Sequence, residues 1–244
     1  MPHFFVPPSD IVGERVIIQG EEYHHLINVC RKKVGDRINI FDGRGRTGTV
    51  QIEKIFSQKV IGRIIHSDMV EKKVGINLFT AIPKGERFHW LIEKVSELGV
   101  DNIYPVIFER SSFVPDKNWS QIQQRRWQKL AYAAAKQSGQ PWMTTVHLPE
   151  RLSEIKSERE TGSGQDQSRT GIVAWEKEDN RRVFDLKLTA RMIDIFIGPE
   201  GGITEGEMKL LKEMSVIPVT LGKYILRVET AAIVCVGLVN NLNI

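Results

Sequence analysis

An apolar, β-type run that breaks off at a cluster of glycines constrains this chain more than any other stretch. Ile193-Asp194-Ile195-Phe196-Ile197 is followed by Gly198-Pro199-Glu200-Gly201-Gly202. About 20 residues later a second glycine-bearing loop starts at Leu221-Gly222 and runs through Lys223, Tyr224, Ile225, Leu226 and Arg227 toward Ala232. A strand that stops at glycines, with a second such loop after a helix and a strand, predicts two loops at one edge of a sheet. Such edges are where α/β proteins bind ligands. The same residues also read as plain turn chemistry, because Thr204 and Glu207 have capping-box spacing and Gly201-Gly202 is then the turn that feeds a helix.

The rest of the chain has two rhythms. Up to about Asp68 the pattern is short and β-like, with strands expected over Phe4 to Val6, Arg15 to Gln19, Arg37 to Phe41, Thr47 to Ile55 and Val60 to Ile65. One helix, Glu21 to Cys30, interrupts them, and the spacing predicts a small barrel or sandwich. Gly43 to Gly48 spells GxGxxG, but Val50 to Ile55 alternates at period two, so a strand follows where a dinucleotide fingerprint needs a helix. Asp42-Gly43 reads as a hairpin turn. The charged segment Val70 to Lys73 marks the boundary, giving domains over 1–70 and 74–244.

Beyond it, strands and helices alternate: Ile76 to Ile82, a helix carrying Phe88, Leu91, Ile92, Val95 and Leu98 and stopped by Gly99, Ile103 to Phe108, and a long helix Trp119 to Ser138. Gly171 to Trp175, Ile193 to Ile197 and Val216 to Leu221 supply further strands, and Thr230 to Leu242 a final apolar helix. Alternation of this kind predicts a parallel sheet covered by helices. Ser157 to Thr170, without an apolar residue, reads as a loop.

Composition narrows the chemistry. There is no run of 18 apolar residues and the start lacks a signal peptide's regions, which predicts a cytosolic protein with no membrane segment. Cys30 and Cys235 stand far apart with no CxxC, so neither a disulfide framework nor a metal site is expected. No P-loop, HExxH or GxSxG occurs. The net charge of +4 permits an anionic partner without requiring one. Its placement is suggestive in the small domain, where Arg31, Lys32, Lys33, Arg37, Arg44 and Arg46 fall within about 16 residues; they read as a phosphate-contacting surface or as a solvated face. Glycines that let main chain approach a ligand suit an adenosyl or amino acid moiety, and Glu200, Arg227 and Glu229 stand beside those loops to orient a substrate, move a proton or pair with one another.

Three motifs carry a resemblance: Phe196 to Gly202, Leu221 to Ala231, and Glu93 to Val100. Together with Phe4-Phe5-Val6, His25 through Arg31, Phe41-Asp42-Gly43 and the long helix, they make the chain resemble, over essentially its whole length, the 16S ribosomal RNA uridine-N3 methyltransferases of the SPOUT class. His3 stands where the family pattern has an arginine, and Gln140-Pro141 departs from the basic residue expected there. The resemblance implies an N-terminal PUA-like β-barrel for RNA, then an α/β SPOUT domain with a parallel sheet and a deep trefoil knot over about 171–244. It also implies a homodimer, S-adenosylmethionine as cofactor, and 16S ribosomal RNA or the small subunit as partner, with no metal. Carried onto this sequence, the cofactor lies against Ala174, Trp175, Gly198, Pro199, Glu200, Gly201, Gly202, Leu221, Gly222, Ile225, Leu226 and Arg227, with Thr230 at its edge. Arg227 and Glu229 are the catalytic candidates, and Arg31, Lys32, Lys33, Arg44, Arg46 and Arg126 the RNA contacts. Another RNA nucleotide as target, or a non-catalytic RNA-binding assembly factor, are the competing readings.

Overall fold

The computed structural model describes residues 3–155, 169–186 and 190–242. Its contacts divide into two compact units: the chain up to Lys72 together with Ala135–Met143, and Lys73–Ala134 together with the chain from Thr144 onward.

The first unit is built on a six-stranded sheet of β1 (His3–Phe5), β2 (Ile11–Val12), β3 (Arg15–Gln19), β4 (Arg37–Phe41), β5 (Arg46–Ile55) and β6 (Lys59–Met69), ordered β1-β4-β5-β6-β3-β2. All pairs are antiparallel except β1 with β4. Alternation puts Val16, Ile18, Ile38, Ile40, Val50, Ile52 and Val60 into one core with Phe4 and Leu26. A strand does follow the GxGxxG glycines, and the Asp42–Gly45 turn is tied by Asp42 Oδ1, which accepts from the main-chain N–H of Arg44 and Arg46 at 2.7 and 3.0 Å. The helix expected over Glu21 to Cys30 is two pieces, α1 (Gly20–His24) and a π-helical turn His25–Val29, after which Arg31 adopts a left-handed φ of 51°. Trp142 closes on the turn: Gly45 donates to the Pro141 carbonyl at 3.0 Å, and a Cβ at Gly45 would stand 2.5 Å from the indole. Lys136 pairs with buried Glu22 at 2.5 Å.

The second unit is a parallel α/β layer. Its strands are β7 (Gly75–Ala81), β8 (Asn102–Ile107), β9 (Thr145–Val146), β10 (Glu150–Arg151), β11 (Arg169–Ala174), β12 (Met192–Ile197) and β13 (Val216–Val219), ordered β10-β8-β7-β12-β11-β13 with β9 also on β8. The helices are α2 (Arg87–Glu97), α3 (Lys117–Ser138), α4 (Glu205–Glu213) and α5 (Val228–Leu242). β7 is buried at every position, the mark of a strand covered on both faces. Fair helix formers in α5 are held by burial: Val228, Ala231, Ala232, Cys235, Val236 and Val239 all enter the core, where α5 packs on α2, β7 and β12.

Three expectations shift. Arg169 and Thr170 already belong to β11, because each finds a parallel partner on β12, while residues 157–168 of the expected loop lie outside the described residues. β13 ends at Val219 because Thr220 starts a side-chain turn, its Oγ1 accepting from Gly222 N–H at 3.2 Å. The last helix begins at Val228, not at Thr230.

Two rows of side chains cross this sheet in register. Arg169 Nε donates to buried Asp194 Oδ2 at 2.7 Å, Asn77 Nδ2 to Asp194 Oδ1 at 2.8 Å, and Asn102 Nδ2 to Asn77 Oδ1 at 2.9 Å, with His147 Nε2 2.9 Å from Asn102 Oδ1. Two residues further along, Phe196, Phe79, Tyr104 and His147 stack with centroids 4.5, 4.5 and 4.1 Å apart. Strand register makes both rows, since Asn77 faces Asp194 and Asn102, and Phe79 faces Phe196 and Tyr104.

The cysteines behave oppositely. Cys235 is fully buried in α5, and that burial pushes its thiol up to about 12, whereas Cys30 is partly exposed. At pH 8 about one Cys235 in ten thousand is thiolate. A thiol-disulfide exchange reagent is therefore expected to titrate one thiol per folded chain and two in denaturant; two fast thiols in the folded protein would contradict the burial.

Candidate active site

β12, β11 and β13 are neighbours in the sheet and all point the same way, so their carboxyl ends deliver three loops to one place. Ala174 leads to Trp175 and Glu176, Ile197 to Gly198–Ile203, and Val219 to Thr220–Arg227, and between them lies a cavity of ≈ 350 Å³. The volume lies within the range of small-molecule sites. The position follows the rule that open parallel sheets bind ligands beyond their carboxyl ends.

Local chemistry shapes each wall. Gly198 has no room for a side chain, since a Cβ would stand 2.4 Å from Ile203 Cγ1. Gly202 turns the chain with φ +77°. Immediately after it the capping box forms: Thr204 Oγ1 accepts from Glu207 N–H at 3.2 Å and Glu207 Oε2 accepts from Thr204 N–H at 2.9 Å. Glu207 Oε1 also accepts from Glu109 N–H at 2.7 Å, so the cap ties the loop to the end of β8 as well as starting α4. The turn reading and the cavity therefore do not compete, because the cap fixes the loop that lines the cavity.

Of the residues expected around a cofactor, Ala174, Trp175, Gly198 to Gly202, Leu221, Gly222, Ile225, Leu226 and Arg227 all line this cavity. Thr230 does not; it sits half-buried on α5. Arg227 reaches the wall with its side chain exposed. Glu229 is off the wall, 5% exposed in the first turn of α5, and its Oε2 is buried with no hydrogen-bond partner among the described residues. Trp175 has Lys177 and Lys212 over its ring at 5.8 and 5.7 Å, and its buried indole N–H is likewise unpartnered.

Residues that sequence reading did not single out complete the wall and its supports. Glu176, Ile203 and Tyr224 line the cavity, and Arg87 and Arg110 reach the first glycine loop from α2 and from the end of β8. Glu176 and Ile203 adjoin residues the sequence singled out, and Tyr224 lies within the second glycine loop; the arginines arrive through the sheet order.

The basic residues of the small sheet do not form one cluster. Arg37 and Arg46 stand at opposite ends of the β4–β5 ladder, which pairs Arg37 with Gln51 and Phe41 with Thr47. That separates Arg31, Lys32, Lys33 and Arg37 from Arg44 and Arg46 by about 13 Å of strand. Arg126 is exposed on α3.

A family model described as RNA methyltransferase domain matches residues 70–240, and one described as RNA methyltransferase PUA domain matches residues 18–65. The ribosomal RNA small subunit methyltransferase E of Bacillus subtilis is 30% identical over 227 residues, covering 88% of this chain and 85% of its own length. A crystal structure of the Neisseria gonorrhoeae ribosomal RNA small subunit methyltransferase E bound to S-adenosyl methionine superposes with a TM-score of 0.83 at 29% identity, over 99% of this chain and 98% of that one. A Legionella pneumophila methyltransferase in complex with the same cofactor gives 0.81 at 26%, over 99% and 97%.

The parallel unit with its cavity, the smaller sheet and these matches together define the class, an RNA methyltransferase with a PUA domain. Within that class, the chain belongs to the ribosomal RNA small subunit methyltransferase E family.

Proposed function

We propose that the protein transfers the methyl group of S-adenosylmethionine to N3 of one uridine in the decoding region of 16S ribosomal RNA, in the cytosol. The observation that carries this reading is the cavity at the ends of β11, β12 and β13, walled by glycine-rich main chain and by Arg227. The fit of the cofactor rests on those walls: backbone amides and carbonyls at the glycine loops suit an adenosyl and amino acid moiety, and the orphan indole N–H of Trp175 is a donor awaiting an acceptor. S-adenosylmethionine, when bound, supplies an electrophilic methyl group. Uridine N3 carries a proton at neutral pH, so the protein's part is to favour its loss. Arg227 is assigned to stabilising the negative charge that develops on the uracil. Glu229 is assigned to positioning Arg227 or accepting the N3 proton, and its place off the cavity wall favours the first.

In this reading residues 1–70 are the PUA-like barrel that binds RNA through Arg31, Lys32, Lys33, Arg44 and Arg46, and 74–244 the SPOUT domain, with Arg126 as its contact. A trefoil knot over about 171–244 is supported by the path of the chain, which reaches the edge strand β13 and then returns so that α5 packs on β7 and β12. A homodimer is supported by Tyr224 and Ile225, 75% and 88% exposed at the mouth of the cavity.

Mass-spectrometric mapping of 16S ribosomal RNA from cells with and without the gene tests the target. Loss of one methyl group on one uridine, restored by the wild-type gene, is the expected result; unchanged RNA would overturn the proposal, and loss from another nucleotide would redirect it. The cofactor site has its own test. A Cβ at Gly201 would stand 2.9 Å from Arg110 Cβ and 3.2 Å from its carbonyl oxygen. Gly201→Val is therefore expected to weaken S-adenosylmethionine binding about tenfold or more in calorimetry, roughly 1.4 kcal/mol, as the loop is pushed off its support.

A further inference from the structure

Two arginines from separate elements converge on consecutive residues of the first glycine loop. Arg87, at the start of α2, donates through Nε to the Lys84 carbonyl at 3.2 Å and pairs through Nη2 with Glu200 Oε1 at 3.2 Å. Arg110, just past β8, donates through Nη1 to the Gly201 carbonyl at 3.0 Å, while its own backbone lies directly beneath Gly201. Neither guanidinium is used up by these bonds. Each offers five N–H donors, and among the described residues the rest of the Arg110 fork has no partner. The Arg87–Glu200 pair is more than a third exposed on both sides, 36% and 39%, which makes it weak and exchangeable. Glu86, the residue that caps α2, is engaged by His89, whose hydrogen bond is the main cause holding its carboxyl below the ordinary range.

We propose that Arg87 and Arg110 form a phosphate clamp at the rim of the cavity, taking one phosphodiester of the RNA strand beside the target nucleotide. On binding, the phosphate displaces Glu200 as the partner of Arg87, while Arg110 keeps the Gly201 carbonyl and turns its free donors to the same anion. The forked guanidinium matches a phosphate's two oxygens better than one oxygen of a solvated carboxylate. Glu200 thus acts as a placeholder that neutralises Arg87 until RNA arrives. This rests on the RNA methyltransferase reading above and adds a contact in the catalytic unit that is separate from the basic residues of the small sheet.

The test is the salt dependence of binding of the full chain to a small-subunit ribosomal RNA transcript. R87A and R110A are each expected to lower the slope of log affinity against log salt by about 0.7–0.9, the value of one lost phosphate contact. R110K, which keeps the charge, retains the wild-type slope. E200Q is expected to tighten RNA binding roughly two- to fivefold. That gain disappears in the R87A background, and a gain of affinity cannot come from misfolding. Unchanged slopes in both alanine variants, or an E200Q gain that persists without Arg87, would overturn the clamp while leaving the proposed function standing. A wild-type protein that binds no ribosomal RNA would remove both.

Discussion

Arg227→Ala is expected to keep S-adenosylmethionine affinity within about threefold of wild type and to lose methyl transfer by two to three orders of magnitude. The asymmetry follows from where the residue stands. Its side chain lies exposed on the cavity wall, so removing it leaves the glycine loops and the cap of α4 in place. On the proposed function, what disappears is a positive charge next to a base that must become an anion. A uridine methylated at N3, as proposed, gains that charge only as N3 gives up its proton, so the interaction would be stronger in the transition state than in the bound substrate and its loss would fall on kcat. Arg227→Lys keeps the charge without the planar fork and is expected to retain a part of the rate. Calorimetry with the cofactor and transfer of a labelled methyl group to small-subunit RNA separate the two effects. Full turnover in Arg227→Ala would remove the residue from the chemistry.

The largest stability effect is expected at Asp194, which is not on the cavity wall. Its carboxylate is fully buried, accepts from Asn77 and Arg169, and through Asn77 joins a row that continues to Asn102 and His147. Asp194→Ala takes the acceptor from the buried Asn77 amide and the partner from Arg169, whose side chain is a third exposed and can turn to water, so the cost is that of the unsatisfied amide and the lost charged hydrogen bond, about 2–3 kcal/mol. Asp194→Asn preserves the shape and an acceptor for Asn77, and is expected to cost clearly less. Urea unfolding of the two variants measures the difference; equal stabilities would mean that the row contributes nothing beyond packing. The row lies toward the amino ends of β7, β8 and β12 while the cavity lies at the carboxyl ends of β11, β12 and β13, so the destabilised protein should still bind its cofactor at low temperature.

Much of this was legible in the chain because the governing signals are local. Period two set β3 and β4 to the residue, glycine punctuation located the loops, and Thr204 with Glu207 announced a cap that forms as read. What escaped is what register and sheet order bring together. Asp194, Asn77 and Asn102 look in sequence like single polar interruptions of three apolar runs, and only pairing makes them neighbours. Arg110 reaches Gly201 across 91 positions because β8 ends where it does. The six cations near the start suggested one surface, but a strand of fixed rise stretches between them. The π-helical turn after His24 has no signature in composition, since the residues that form it would serve an α-helix as well.

The membership of Ala135–Met143 in the first unit has a consequence for how such a gene can be divided. The small sheet reads as though it were encoded by one uninterrupted stretch ending near Lys72, yet Trp142, whose indole roofs Gly45, and Lys136, which neutralises Glu22, are written more than sixty codons downstream. A transcript cut at the apparent boundary would carry every strand of the sheet and still yield a polypeptide without the Trp142 roof and without the Lys136 partner of buried Glu22. The first unit is thus complete only when the reading frame runs on through the codons for Ala135–Met143.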